Sequence, residues 1–106
     1  MEQIWKHMDF LELIANPASR QQVKALISTS TEEQLNTISE LALNLLQGRV
    51  KLSKYYKNKL AKDADFIREL ANRRVGSHKR RSLALSHFKT ITLLLRACLK
   101  PIRDGR

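Results

Sequence analysis

Apolar residues recur every three or four positions in nearly every segment of this chain, and that spacing confines it to a helical fold. In the first segment one helix side carries Ile4, Met8, Leu11 and Ile14. The 106 residues include only three glycines and two prolines, so long irregular loops have little room. We therefore predict an all-α fold, a compact bundle of about five helices that forms a single domain over residues 1–106.

Capping residues give the expected boundaries of the first three helices. The first ends at Asn16-Pro17, because the residue before a proline is disfavoured in the helical conformation. Ser19 with Gln22, and Thr31 with Gln34, have the spacing of capping boxes that begin the second and third helices.

The remainder of the chain is predicted to form two longer helices. Gly48 occupies the position of a left-handed cap after the third helix. Ser53 is the N-cap candidate of a fourth helix that continues to about Arg74. Ser77 is the expected cap of a fifth helix, which ends at Lys100-Pro101.

The net charge of +10 is distributed unevenly. Residues 1–48 contain three basic and six acidic residues, a net charge of −3, whereas residues 49–106 contain 17 basic and four acidic residues, a net charge of +13. We interpret residues 1–48 as an acidic packing half, residues 49–100 as a basic helical half and residues 101–106 as a frayed tail. Such asymmetry indicates a polyanionic partner, either nucleic acid or an anionic surface.

Nucleic acid is the partner that the basic half fits best. Lysine and arginine neutralise backbone phosphates and release counterions, so this kind of binding is largely independent of base sequence. Tyr55 lies among the lysines and is the aromatic residue most available for stacking on exposed bases. The candidate nucleic-acid contacts are Arg49, Lys51, Lys54, Lys57, Lys59, Lys62, Arg73, Arg74, Lys79, Arg80 and Arg81.

No catalytic or metal-binding pattern stands out, and we predict a non-enzymatic protein without metal or cofactor. Carboxylates are not placed on the same helix face as the three histidines, His7, His78 and His87. Asp63 and Asp65 are expected to form salt bridges with neighbouring lysines and arginines. Cys98 is the single cysteine and lies in an apolar run, which indicates a packed side chain.

We also predict neither a signal peptide nor a transmembrane helix. Acidic residues interrupt the apolar stretch near the start, which argues against a signal peptide, and no apolar run approaches the ~20 residues of a transmembrane helix. The expected location is intracellular, in the nucleus or in a virion.

Two other functions fit the same charges. The first is a structural or assembly protein that docks its basic half on an acidic protein partner. The second is a membrane-active protein, because the last helix combines a basic start with a long apolar face. Burial of that face in the domain core is the interpretation that we favour over membrane contact.

The stretch ALNLLQGRVKLSKYYKNKL also resembles a pattern in small open reading frames of Polinton-like and adintovirus-like elements, which are integrated in animal genomes. The matching positions are Asn44, Leu45, Leu46, Gln47, Gly48, Val50, Leu52, Ser53, Lys57, Lys59 and Leu60. The layout of the flanking segments is similar as well, so the resemblance covers about residues 19–82.

The chain departs from that pattern in three places. Lys51 stands where the family has proline, Arg49 replaces what is often asparagine, and the segment SLALSHFKTITLLLRACL replaces a Gly-Gly-Phe-Leu hydrophobic tail. The family has no settled activity and no catalytic residues to transfer. The resemblance implies a virus-like double-stranded DNA element, in which a small basic protein would be a virion or genome-packaging component.

Overall fold

The computed structural model describes residues 2–104, and within that range the secondary structure is α-helical with short connections. The all-α prediction is confirmed, although the described residues form eight helices rather than about five. In chain order these are α1 (Glu2–Lys6), α2 (Met8–Ala15), α3 (Arg20–Ser28), α4 (Glu32–Leu46), α5 (Lys54–Ala61), α6 (Ala64–Ala71), α7 (Ser77–Ser86) and α8 (Phe88–Asp104).

The predicted N-caps of α3, α4 and α5 are confirmed. Thr31 Oγ1 accepts a 3.0 Å hydrogen bond from the Gln34 amide, and Gln34 Oε1 accepts a 2.9 Å bond from the Thr31 amide, which completes the capping box. The hydroxyls of Ser19 and Ser53 accept amide hydrogen bonds at the starts of α3 and α5. These bonds satisfy amides that have no partner within the helix.

Three of the predicted helices are each broken once, which accounts for the larger number. The breaks lie at His7, at Lys62–Asp63 and at His87, between α1 and α2, α5 and α6, and α7 and α8. His7, Asp63 and His87 share one non-helical conformation, with φ between −107° and −121° and ψ between 18° and 35°. The breaks let the chain turn around a common core; α7 and α8 meet at a 96° bend.

Three predicted helix boundaries differ from the structure. The helix predicted to continue to about Arg74 ends with α6 at Ala71, because Asn72 has an extended backbone. Gly76, not Ser77, is the N-cap of α7, and no side chain caps that helix. α8 continues through Pro101 to Asp104, so the prediction that it ends at Lys100-Pro101 is wrong. Tertiary contacts hold this last turn, because Arg103 forms an ion pair with Glu12 at 3.2 Å and Ile102 packs on the core. Residues 105–106 of the predicted frayed tail lie outside the described residues.

A single hydrophobic core joins the two halves of the chain. α4 packs against α6, α7 and α8, while α2 packs against α3 and α8. At ~1.5 Å per residue the 17-residue α8 is about 25 Å long. It therefore spans nearly the whole 30 × 27 × 26 Å molecule. The boundary at Gly48 separates opposite charges, but residues from both sides of it fill the core.

Gly48 and Gly76 provide a matched test of the loop conformations. Gly48 has φ of 73°, and a Cβ at either glycine would meet no atom within 4 Å. Gly48→Ala should therefore lower the free energy of unfolding by about 1 kcal/mol through backbone strain alone. Gly76, at φ −61°, is already in a conformation that alanine adopts. Gly76→Ala should change the free energy of unfolding by less than about 0.5 kcal/mol in urea denaturation; equal effects would contradict the assignment.

Candidate nucleic-acid interface

α5 is held on the domain by few residues and leaves most of its surface to solvent. Within α5, all of which is described, Leu60 is the one fully buried side chain, and Tyr56 packs partly against the core. The helix contacts α8. Because Gly48 ends α4 and Ser53 begins α5, the sequence places a new helix start immediately after the acidic half.

The segment from Gly48 to Lys62 carries six cations and no acidic residue. We call these six residues the α5 surface: Arg49, Lys51, Lys54, Lys57, Lys59 and Lys62. All six are exposed, and none forms an ion pair with any residue in the range 2–104. Lys54, Lys57 and Lys59 lie on one short helix and the other three cations flank it in sequence, so their like charges repel each other and a bound polyanion would relieve that repulsion.

Tyr55 and Lys100 extend the α5 surface. Tyr55 is 59% exposed and its ring centroid lies 5.8 Å from Lys59 Nζ, so one aromatic residue is presented beside the cations. A cleft of about 360 Å³ at the start of α5 is lined by Lys51, Ser53 and, from α8, Lys100. Lys100 was not predicted, because only the packing of α8 against α5 brings it there.

The cations around Gly76 form a second group. Arg73, Arg74 and Lys79 are exposed and have no ion pair within the described chain. The eight residues of α6, about 12 Å of helix, separate this group from Lys62. Arg73 also lines a recess together with the acidic Glu33 and Glu40. The predicted contacts that stay exposed therefore fall into two groups along the chain, of which the α5 surface is the larger, although Arg49 also lines a recess with Glu40 and the cleft beside Lys51 includes Asp104.

Arg80 does not belong to either surface, which corrects its prediction as an exposed contact. Its side chain is 3% exposed. Nε donates to the Val75 carbonyl at 2.8 Å, Nη1 to Ser39 Oγ at 2.7 Å and Nη2 to Asn36 Oδ1 at 2.9 Å. Burial and then repulsion from Arg73 lower the pKa of this guanidinium below its ordinary value. Arg80 fastens α7 to α4.

The Arg81 side chain also forms hydrogen bonds within the protein. It is half-buried, and its Nη2 donates a 3.0 Å hydrogen bond to the Ser30 carbonyl just after α3. Nε lies 3.4 Å from Ser30 Oγ. Its guanidinium therefore satisfies backbone at the end of a neighbouring helix, a favoured position for a cation.

Two of the histidines that look isolated in the sequence meet carboxylates from distant segments of the chain. His87 Nδ1 lies 2.9 Å from Asp63 Oδ2, which also accepts a 2.6 Å hydrogen bond from Thr90. His7 Nε2 lies 3.3 Å from Glu33 Oε1, beside Lys6. Asp65 pairs with Arg68 as expected, whereas Asp63 pairs with His87 instead of a neighbouring lysine or arginine.

The Asp63–His87 pair joins two helix breaks, whereas the His7–Glu33 pair joins one break to the first turn of α4. The Phe66 ring is stacked on His87 with 4.2 Å between centroids, which fixes the imidazole. Burial raises the pKa of the Asp63 carboxyl, but the hydrogen bonds from Thr90 and His87 outweigh it and hold that pKa below its usual value. Within residues 2–104 no group of three or more histidine, cysteine, aspartate or glutamate side chains could hold a metal ion.

The apolar face of α8 lies in the core, so the prediction that it completes the core is confirmed. Its buried residues are Ile91, Leu94, Leu95, Ala97, Cys98 and Leu99. Burial raises the pKa of the Cys98 thiol to about 12, in agreement with a packed side chain. No single helix in the described range is long and apolar enough to cross a membrane; only α7 and α8 together, bent by 96°, have the required length and composition.

Comparison of the chain with protein-family models, curated proteins and solved structures finds no match. Its function is therefore inferred from the charge and geometry of the surfaces described above.

Replacing Arg80 tests its internal role. Arg80→Ala leaves the buried Ser39 and the half-buried Asn36 side chains without their donor, so the free energy of unfolding should fall by about 2–4 kcal/mol. Lys79→Ala removes an exposed neighbouring cation that makes no internal bond, and it should change stability by less than about 0.5 kcal/mol. Urea denaturation of both variants gives the comparison; a small effect of Arg80→Ala would contradict its assignment.

The contacts of the Asp63 carboxylate with Thr90 and His87 predict that the stability of the fold depends on pH. A carboxyl whose pKa is lower in the folded than in the unfolded chain contributes stability above the unfolded pKa of about 4, and this contribution disappears as the pH falls through the folded value. Asp63→Asn should therefore destabilise the protein by about 1 kcal/mol at pH 7 and by less at pH 3. Asp65→Asn, at an exposed position, is the control, and a pH-independent difference for Asp63→Asn would refute the expectation.

Proposed function

We propose that this protein is a non-enzymatic nucleic-acid-binding protein that holds the phosphate backbone on its α5 surface. The observation that carries the proposal is the run of six exposed cations from Arg49 to Lys62 with no acidic residue among them. In a typical soluble protein such charges alternate with carboxylates, which reduces repulsion. Here the missing counter-charge is supplied by the phosphates of the partner.

The composition of the α5 surface favours phosphate contact over base recognition. Five of its six cations are lysines, which act as point charges toward phosphate and do not offer the planar fork with which arginine reads guanine. Tyr55 adds one exposed ring on which an unpaired base can stack. Binding is accordingly non-specific with respect to base sequence.

The proposed setting is a virus-like double-stranded DNA element. The resemblance of residues 19–82 to small proteins of Polinton-like and adintovirus-like elements supports a virion or genome-packaging role, since packaging needs backbone neutralisation without sequence preference. Arg73, Arg74 and Lys79 would add a second contact to the same or a neighbouring segment of nucleic acid.

The dependence of binding on salt tests the proposal. If all six cations of the α5 surface contact phosphates, the slope of log K against log salt concentration is about −5, and affinity falls roughly a thousandfold between 50 and 200 mM salt. A gel-shift titration on two unrelated duplexes measures this. Equal affinity at the two salt concentrations, or strong preference for one duplex, would count against the proposal.

A pair of double variants locates the contact. Lys57→Ala with Lys62→Ala should weaken duplex binding and reduce the salt slope by about two. Arg20→Ala with Lys89→Ala makes the same change in net charge on exposed residues outside the α5 surface and should leave the slope nearly unchanged. Similar losses in both variants would indicate a response to total charge only. No duplex binding by the wild-type chain would leave docking on an acidic protein as the function of this surface.

A further inference from the structure

A separate groove lies between α3 and α8, away from the α5 surface. It encloses about 260 Å³. Its lining residues, which define the α3–α8 groove, are Pro17, Arg20, Val23, Phe88, Lys89, Thr92, Leu93 and Arg96. None of these eight residues is acidic, so the groove combines an apolar floor with a basic rim.

The apolar part of the groove is recessed. Val23 is 2% exposed, and Phe88 and Leu93 are partly buried against the core, while the cations of the rim are exposed. The Thr92 hydroxyl already donates a 3.0 Å hydrogen bond to the Ile14 carbonyl. The floor therefore offers carbon surface and few hydrogen-bonding groups to an occupant.

Most hydrogen-bonding groups of the rim cations are not used in bonds within the described part of the chain. Arg20 and Lys89 make no ion pair or side-chain hydrogen bond with any residue described in the structure. Arg96 uses Nε to donate a 2.6 Å hydrogen bond to the Ala15 carbonyl, and its terminal Nη groups carry no internal bond within residues 2–104. Lys24 Nζ lies 4.9 Å from the centroid of the Phe88 ring, which adds a fourth cation at the edge.

We propose that the α3–α8 groove docks a segment of a protein partner in which an aliphatic or aromatic side chain is flanked by carboxylates. The apolar side chain fills the recess over Val23 and Leu93, and the carboxylates pair with Arg20, Lys89 and Arg96. Charge complementarity selects the acids, since a rim with no acidic residue leaves these cations unneutralised. The arginines can bind a carboxylate through two parallel hydrogen bonds.

Other occupants fit this geometry less well. A nucleic-acid base would leave its polar edges unpaired against the carbon floor. A flat bilayer would meet projecting cations and would not reach the recessed apolar surface. The groove is independent of the α5 surface, and the proposal does not rest on nucleic-acid binding.

The probe is a phage-displayed library of random dodecapeptides, selected on the wild-type protein at 150 mM salt. Enriched peptides should contain leucine, phenylalanine or tryptophan flanked by aspartate or glutamate. They are then synthesised, labelled and measured by fluorescence anisotropy. Replacing the apolar residue of a peptide by serine, or its acids by amides, should each weaken binding at least tenfold.

Two variants of equal charge locate the site on the protein. Arg20→Glu with Lys89→Glu should reduce peptide affinity at least tenfold, whereas Lys57→Glu with Lys62→Glu should reduce it less than threefold. Arg20 and Lys89 lie in the first turns of α3 and α8, where the helix dipole favours acids, so the groove variant should fold at least as stably as the wild type. Its thermal midpoint serves as the check on folding.

Several results would overturn the proposal. These are a selection without enrichment, peptides that bind through acids alone, and equal losses in the two variants. Loss of duplex binding in the groove variant, larger than that in the α5 variant, would assign the groove to nucleic acid. A wild-type dimer that the groove variant dissociates in analytical ultracentrifugation would assign it to a second copy of this chain. Peptide binding that persists in a chain unable to bind duplex DNA would refute the proposed function alone and leave the groove proposal standing.

Discussion

The buried guanidinium of Arg80 is the interaction on which the arrangement of the second half depends. A charge with so little exposure is tolerated only because three hydrogen bonds surround it, two of them from side chains of α4. They fix α7 against α4, and the bend at His87 then directs α8 across the molecule. Since α8 contributes six residues to the buried core, the position of one cation influences the packing of nearly every other helix.

Local signals predicted the helices well, and tertiary contacts explain the errors. The capping box at Thr31 and the left-handed Gly48 are encoded within a few residues, so they could be recognised in the sequence. The breaks at Asp63 and His87 could not, because each is stabilised by the other across 24 positions of the chain. A continuous apolar stripe has the same period whether the helix that carries it is straight or broken.

The distinction between local sequence signals and tertiary contacts applies to the charged surfaces as well. The excess of cations after Gly48 is a property of the sequence, and the exposed lysines of α5 follow from it directly. Arg80 and Arg81 share a charge run with Lys79, and nothing local distinguishes the buried Arg80 and the half-buried Arg81 from their exposed neighbour. The α3–α8 groove could not be predicted for a different reason. Arg20 is one of three cations among the six acidic residues of the acidic half, and only the folded chain places it beside Lys89 and Arg96.

The cations at helix starts have a thermodynamic consequence. Arg20, Lys54 and Lys89 occupy the first turns of α3, α5 and α8, none of which has an acidic residue there, in contrast to Glu32 and Glu33 of α4. In the isolated chain each of these cations is placed unfavourably, because it repels the positive end of the helix dipole. A bound anion makes the local electrostatic interaction favourable instead. Any ligand that binds only the folded form adds RT ln(1 + [L]/Kd) to stability. If the two surfaces bind anionic partners as proposed, folding and anion binding are linked equilibria, and the chain is most stable where those partners are abundant.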